Sequence, residues 1–333
     1  MSMPIIPDHF KDVSPKNHFP IIMQLGVLTL ILTSIFGSLW LFSGTAETTT
    51  TDKSYSTVPI QTAATAITLD ALADIDLRAT SAYVWDVKGE RALYRKNETT
   101  VVPLASITKL MTTLLVYELL PEDETIMIPL AAVLQEGNSG LVAGETLTAE
   151  ELTEFALISS SNDAAYTLAA SVGDLLGDRT PTEQFVAGMN IRAKELGLNT
   201  LDFKNMTGLD VSPTEPGAVG SAKDVSFLME YIVEQKPKIL APTLQPSTRI
   251  YNEAGAFHDI SNTNPILNQI PNLIGSKTGY TDLAGGNLTI AFNLGLDRPI
   301  IITVLGSTRD ERFTDALTLV QAVQRSVKQE TYE

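Results

Sequence analysis

Cysteine is absent from the 333-residue chain, which excludes a disulfide scaffold and thiolate catalysis within it. Histidine is scarce, with only His9, His18 and His258. A Ser-His-Asp triad would therefore depend on His258, because the other two lie in the N-terminal tail. His258 sits in the polar stretch Phe257-His258-Asp259 and reads as a surface residue. No His or carboxylate set has the spacing of metal ligands, so neither a metal nor another cofactor is expected. Positive charge is also in deficit, with 23 Lys and Arg against 39 Asp and Glu and a net charge of −16. Lys11 and Lys16 balance Asp8 and Asp12 near the start, so the acidity belongs to the main body. Such a body repels a phosphate backbone, which argues against nucleic acid as a partner, and it disfavours tight binding to an anionic membrane surface. Apolar and charged fractions are those of a globular protein long enough for a sizeable core.

One long apolar run is present. Ile21 to Phe42 carries no charge over 22 residues, a length that suits a bilayer core of about 30 Å at about 1.5 Å per residue. Gly44-Thr45-Ala46 offers small residues for signal cleavage, but secretory apolar regions run about 7–15 residues. The expectation is therefore an uncleaved anchor at 21–42, with a cytoplasmic tail at 1–20. Residues 43–66, with the tetrad Thr48 to Thr51, read as a Thr/Ser-rich linker. The body at 67–330 would then lie outside the cytoplasm of a single-pass protein of the cell membrane.

Within the body, Ala82 to Val87 and Arg91 to Tyr94 predict a β-hairpin across Lys88-Gly89. Ser106 to Leu120, free of Gly and Pro, predicts a buried helix. Thr148-Ala149-Glu150-Glu151 is a capping box opening a helix through Leu157, and another helix is expected over Thr182 to Leu196. Leu288, Ile290, Phe292 and Leu294 alternate with Thr289, Ala291 and Asn293 in a strand, and Pro299 to Leu305 forms a second. Thr308-Arg309-Asp310-Glu311 is expected to cap a last helix, apolar at Phe313, Ala316, Leu317, Val320 and Val327. Strands at both ends with helices between them predict an α+β fold whose first and last strands share one sheet.

Three short motifs can carry chemistry. Ser106 and Lys109 are three residues apart, hence on one helix face, where the amine can reach the hydroxyl. A serine hydroxyl needs a base, and with histidine nearly missing lysine is the natural candidate, provided burial or a nearby cation lowers its proton affinity. A surface Ser and Lys on an amphipathic helix would give the same pattern. Ser160-Ser161-Asn162 interrupts two apolar stretches; it suits a helix cap, or a hydroxyl and an amide that handle substrate. Lys277-Thr278-Gly279 suits an anionic substrate on a strand edge, or an edge strand that wears a charge against aggregation.

In this order the three resemble the Ser-x-x-Lys, Ser-x-Asn and Lys-Thr-Gly set of the serine D-alanyl-D-alanine carboxypeptidases, the low-molecular-mass penicillin-binding proteins. Supporting segments include Pro103-Leu104-Ala105-Ser106, Gly144-Glu145-Thr146-Leu147-Thr148, Asn205-Met206-Thr207-Gly208-Leu209 and Lys277-Thr278-Gly279-Tyr280-Thr281. The resemblance covers roughly residues 67 to 327. It implies a β-lactamase/DD-peptidase-like fold, an antiparallel sheet flanked by helices with a helical subdomain. It also implies peptidoglycan stem peptides and β-lactams as partners. Ser106 would be the nucleophile, Lys109 its base, and Ser160 a proton relay to the departing D-alanine. Asn162 would orient the acyl chain, and Lys277 and Thr278 would bind the terminal carboxylate, with Gly279 beside them. The backbone N–H groups of Ser106 and Tyr280 would form the oxyanion hole. Lys277 would also lower the proton affinity of Lys109.

Two departures stand out. Ser161 occupies a position where the family often has Gly, and the chain stops about one helix after its last strand, which leaves anchoring to the N-terminal run. Rival readings are a DD-endopeptidase or transpeptidase, a class A-like β-lactamase using Glu195 of Glu195-Leu196-Gly197-Leu198-Asn199, and a silent muropeptide-binding module. Glu195 falls in the last turn of an expected helix with Gly197 as its cap, which weighs against the lactamase.

Overall fold

The computed structural model describes residues 66–67, 72, 74–137, 139–177 and 180–328. All of them lie in one unit, Ala63–Glu333. The expected tail, membrane span and all but the last residue of the linker fall outside the described residues. Among the described residues no helix is long and apolar enough to cross a membrane. Ala66, expected as linker, pairs with Ile67 as a two-residue strand antiparallel to Val327–Lys328.

The expected hairpin forms from β1 (Ser81–Asp86) and β2 (Arg91–Lys96). Its turn closes because the Asp86 carboxylate accepts the Gly89 N–H at 3.1 Å and Glu90 adopts φ 45°. The C-terminal strands are β3 (Leu273–Thr281), β4 (Gly285–Asn293) and β5 (Pro299–Ser307). All pairings are antiparallel in the order β3-β4-β5-β1-β2. The two ends of the body meet where Ile302 of β5 faces Val84 of β1.

Among the described residues, six helices of ten residues or more cover this sheet and build the helical layer: α1 (Lys109–Leu119), α2 (Ala149–Ile158), α3 (Asn162–Leu176), α4 (Pro181–Glu195), α5 (Ala222–Gln235) and α6 (Glu311–Arg325). On one sheet face Leu288, Ile290, Phe292, Ile302 and Val304 pack with Leu319, Val320 and Val323 of α6. The period-two alternation of β4 does not leave the other face wet. Thr289 is buried there and bonds the Thr303 hydroxyl at 2.9 Å, which in turn meets Ser226 of α5 at 2.7 Å. The polar members of the alternation are thus paired with one another beneath a helix, which is how buried hydroxyls are tolerated.

Local signals held with small corrections. Thr148 and Glu151 form the reciprocal capping box of α2. At α6, Thr308 Oγ1 accepts the Glu311 N–H, but the Glu311 carboxylate takes the Thr308 hydroxyl, so only half the box forms. Val327, expected on this helix, lies beyond its end in the short strand, and Val323 takes the buried place. The helix expected from Ser106 begins instead as a 3-10 turn, Ala105–Thr108, and becomes α-helical at Lys109.

Candidate active site

The 3-10 turn decides how Ser106 is presented. Ala105 sits at φ 48°, a left-handed conformation that costs an alanine about 1 kcal/mol or more. Two glycines permit the crowding around it. A Cβ on Gly208 would stand 1.9 Å from the Ala105 carbonyl oxygen, and one on Gly279 would stand 3.1 Å from the Ser106 nitrogen. The Ser106 backbone is therefore clamped between the 205–209 loop and β3.

Lys109 is fully buried. Its Nζ lies 2.9 Å from Ser106 Oγ, 2.6 Å from Asn162 Oδ1 and 2.9 Å from the Thr207 carbonyl oxygen. Burial drives its proton affinity well below the ordinary lysine value; the Lys277 charge adds to this and Asp163 opposes it. A neutral amine has two N–H groups and one lone pair. The two carbonyl oxygens can only accept, so they take both N–H groups and leave the lone pair facing the Ser106 hydroxyl. The expected pair is thus in hydrogen-bond contact around a buried amine, not a surface Ser and Lys.

The second motif links α2 to α3. Ser160 is held at φ 62°, a strained position for a non-glycine residue. Ser161 caps α3 by accepting the Ala164 N–H at 3.0 Å. The cap reading holds for Ser161, while Ser160 meets Lys277 and Asn162 meets Lys109. Asn162, expected to orient an acyl chain, has its amide engaged at both ends, since Nδ2 donates to the Glu136 carbonyl at 2.7 Å.

The third motif lies on β3, which is an edge strand as expected. Lys277, however, is only 1 % exposed and does not guard the edge with its charge. Its Nζ donates to Ser160 Oγ at 2.9 Å and to the Thr278 carbonyl at 2.9 Å. Burial first, then the Arg312 charge, bring its pKa down to about 7. Thr278 Oγ1 meets Thr263 Oγ1 at 2.6 Å. The Tyr280 ring carries the Arg309 guanidinium 4.2 Å from its centroid.

Ser106, Ser160, Thr278, Gly279 and Tyr280 line one cleft of ≈ 480 Å³ together with Arg309 and Arg312. Sequence reasoning missed both arginines. Arg312 is buried in the first turn of α6, donates Nη1 to the Gly279 carbonyl at 2.5 Å, and has an Nε without a partner. Burial and the Arg309 charge depress its pKa to about 10. No local pattern marks it, because it enters the site through the packing of α6 on the sheet. A separate cavity of ≈ 330 Å³, walled by Val116, Leu120, Ile239 and Pro242, contains no serine, and its only lysine, Lys238, pairs with Glu122 at 3.8 Å. It is not the reactive site.

Two other sequence readings are settled here. His258 is not a surface residue: its side chain is 14 % exposed and Nε2 lies 2.6 Å from Glu145 Oε1, edge-on to Phe155. The polar neighbours that made it look exposed alternate to the outer face of a hairpin, whose strands are Ser247–Tyr251 and Phe257–Ser261. Glu195 is 57 % exposed at the end of α4 and pairs with Arg192, with Gly197 at φ 75° after it. It has no place in the cleft.

A family model described as D-alanyl-D-alanine carboxypeptidase matches residues 65–309. D-alanyl-D-alanine carboxypeptidase DacF of Bacillus subtilis is 32% identical over 240 residues, covering 70% of this chain and 59% of that protein. The chain thus spans somewhat under two thirds of that relative's length. A D-alanyl-D-alanine endopeptidase of Pseudomonas aeruginosa is 29% identical over 251 residues, covering 73% of this chain and 76% of its own. Among solved structures, the ampicillin-bound penicillin-binding protein D2 of Listeria monocytogenes superposes with a TM-score of 0.61 at 32% identity, over 75% of this chain and 98% of that one.

Proposed function

The chain belongs to the D-alanyl-D-alanine carboxypeptidase family, and from that premise we propose that it removes the terminal D-alanine from peptidoglycan stem peptides through a serine acyl-enzyme, and that β-lactams acylate the same serine. One observation carries the reading: Lys109 Nζ is held by Asn162 and Thr207 so that its lone pair meets the Ser106 hydroxyl.

Ser106 Oγ attacks the carbonyl carbon between the two D-alanines and its proton passes to Lys109. The backbone N–H groups of Ser106 and Tyr280 receive the developing oxyanion; the close approach of Gly279 to Ser106 supports this pairing. When the C–N bond breaks, the departing amine takes the Ser160 proton. Lys277, bonded to Ser160 and with a pKa of about 7, can replace that proton near neutrality. The leaving group's carboxylate faces the Thr278 hydroxyl and the buried Arg312 cation. Lys109 then gives the Ser106 proton up to water in the vacated cleft, and Lys277 regains one from it. A second water attacks the acyl carbon, and Lys109 accepts its proton and returns it to Ser106 Oγ as the ester bond breaks, releasing the shortened peptide. In a β-lactam the cleaved amide nitrogen stays tethered in the cleft, so water gains access slowly.

Residues 21–42 are proposed as a single membrane span with the catalytic body outside the cytoplasm, on the strength of their uncharged length. Likeness to the Pseudomonas endopeptidase supports a second activity on cross-linked peptides, which share the same acylation step.

The test is to expose the full chain and its Ser106→Ala variant to a fluorescent penicillin, to a D-Ala-D-Ala peptide and to a cross-linked dimer. Stable labelling and D-alanine release, both lost in the variant, are expected. An unmodified chain that takes no label would end the acyl-enzyme reading.

A further inference from the structure

Asp163 follows Asn162 in the first turn of α3 and has no part in the mechanism above. It is 1 % exposed, yet its Oδ1 has no hydrogen-bond partner. A buried carboxylate oxygen left unpaired is costly, and a structural aspartate would be expected to satisfy both oxygens. Its Oδ2 accepts from Ser139, from the hydroxyl at 2.5 Å and the backbone N–H at 3.4 Å. Ser139 belongs to the loop that also supplies the Glu136 carbonyl.

That carbonyl decides how the Asn162 amide is turned. A backbone oxygen can only accept, so it draws the Nδ2 end of the amide and leaves Oδ1 for Lys109. If the loop shifted, the amide could rotate and offer Lys109 a donor in place of an acceptor. The base would then lose the partner that aims its lone pair. The loop, in turn, is fastened to α3 at Asp163.

The charge of Asp163 acts on the same amine. The charges that act on Lys109 are the Lys277 cation from β3, itself under the charge of Arg312 of α6, and Asp163 as the opposing negative group. Because Ser139 supplies only neutral donors and Oδ1 has none, the carboxylate is weakly quenched where it stands.

We propose that Asp163 is a positioning residue for acylation: its buried carboxylate fastens, through Ser139, the loop that turns the Asn162 amide, and it sets a negative charge one residue from the amide that holds Lys109. Without the negative charge Lys109 would hold a proton less tightly. It would be neutral at lower pH but would pull more weakly on the Ser106 proton. The proposal rests on the acyl-enzyme reading, and the two are separable: labelling of the unmodified chain decides that reading, whereas the pH at which labelling sets in decides this one.

The experiment measures the second-order rate of penicillin acylation from pH 5 to pH 9 for the full chain and three variants. Asp163→Asn retains size and a bond to Ser139 but removes the charge. Its acid limb should move down by about one pH unit, the scale of one nearby charge, with a several-fold lower plateau. Asp163→Glu, which keeps the charge, should restore the limb. Ser139→Ala, which releases the loop, should lower the plateau and leave the limb where it was. An Asp163→Asn limb that stays in place, or a Ser139→Ala limb that moves equally, would overturn the proposal. Should Asp163→Asn not fold, the Ser139→Ala plateau decides: a several-fold fall supports the fastening, and a plateau equal to that of the unmodified chain would overturn it.

Discussion

Arg312→Gln is the substitution that most directly probes how the cleft recognises a free carboxylate. Arg312 is 7 % exposed, its Nε is without a partner, and it shares the cleft with Thr278 and Ser106. Hydrogen bonds to a charged group contribute about 1.5–3 kcal/mol, which is roughly a 10- to 150-fold change at about 1.4 kcal/mol per decade. The variant should therefore lose kcat/KM by that range for a peptide ending in a free D-Ala-D-Ala carboxylate. The same peptide capped as its C-terminal amide offers no anion and should lose only a few-fold. A second effect follows from charge. Arg312 is the neighbour that depresses Lys277 beyond burial, so the Lys277 pKa should rise above about 7 when the cation is removed. Quantifying released D-alanine and D-alaninamide by chromatography, over pH 6 to 9, reads both effects together. Equal losses for acid and amide would refute the assignment and place carboxylate recognition on Thr278 and Lys277 alone.

The other predictions concern packing, pH and the lactamase alternative. Gly208→Ala places a Cβ 1.9 Å from the Ala105 oxygen at a φ of +79°, so overpacking should cost about 1–3 kcal/mol in urea unfolding and slow acylation, whereas unchanged values would mean the turn yields freely. Lys277 is protonated in the unfolded chain up to about pH 10.5 but only to about pH 7 when folded. Its burial penalty is full below pH 7 and is relieved as pH rises toward 10.5, so stability should increase between pH 6.5 and 9.5, by at most about 1.4 kcal/mol per unit from this group. Lys277→Met should flatten that slope in thermal melts, and an unaltered slope would show the lysine is not its source. Glu195→Gln should leave penicillin turnover within about twofold, since Glu195 pairs with Arg192 outside the cleft. A tenfold fall would revive the lactamase reading.

Much of the fold is legible in the sequence because local chemistry coincides with the final structure. The Thr148 capping box, the Lys88-Gly89 turn and the strand alternation of 288–294 are short-range signals that the tertiary structure did not override. His258 was misread as a surface residue, and nothing in the sequence marked Thr289 as buried, for one reason. Alternation shows which residues share a face, but not whether a helix or a loop later covers that face.

The sequence by itself determined the reactive groups: a serine with a lysine three residues on, no cysteine, almost no histidine, and the Ser-x-Asn and Lys-Thr-Gly motifs in order. Those facts restrict the chemistry, because side-chain type bounds what can act as nucleophile and base. Only the tertiary structure decided that Lys109 holds a proton far less tightly than an ordinary lysine. Its proton affinity depends on complete burial, on Lys277 arriving from a strand 168 positions later in the sequence, and on Asp163 opposing that cation. It alone also brought Arg312 to the cleft, since dehydration and proximity across the sheet are properties of the packed chain and leave no local pattern.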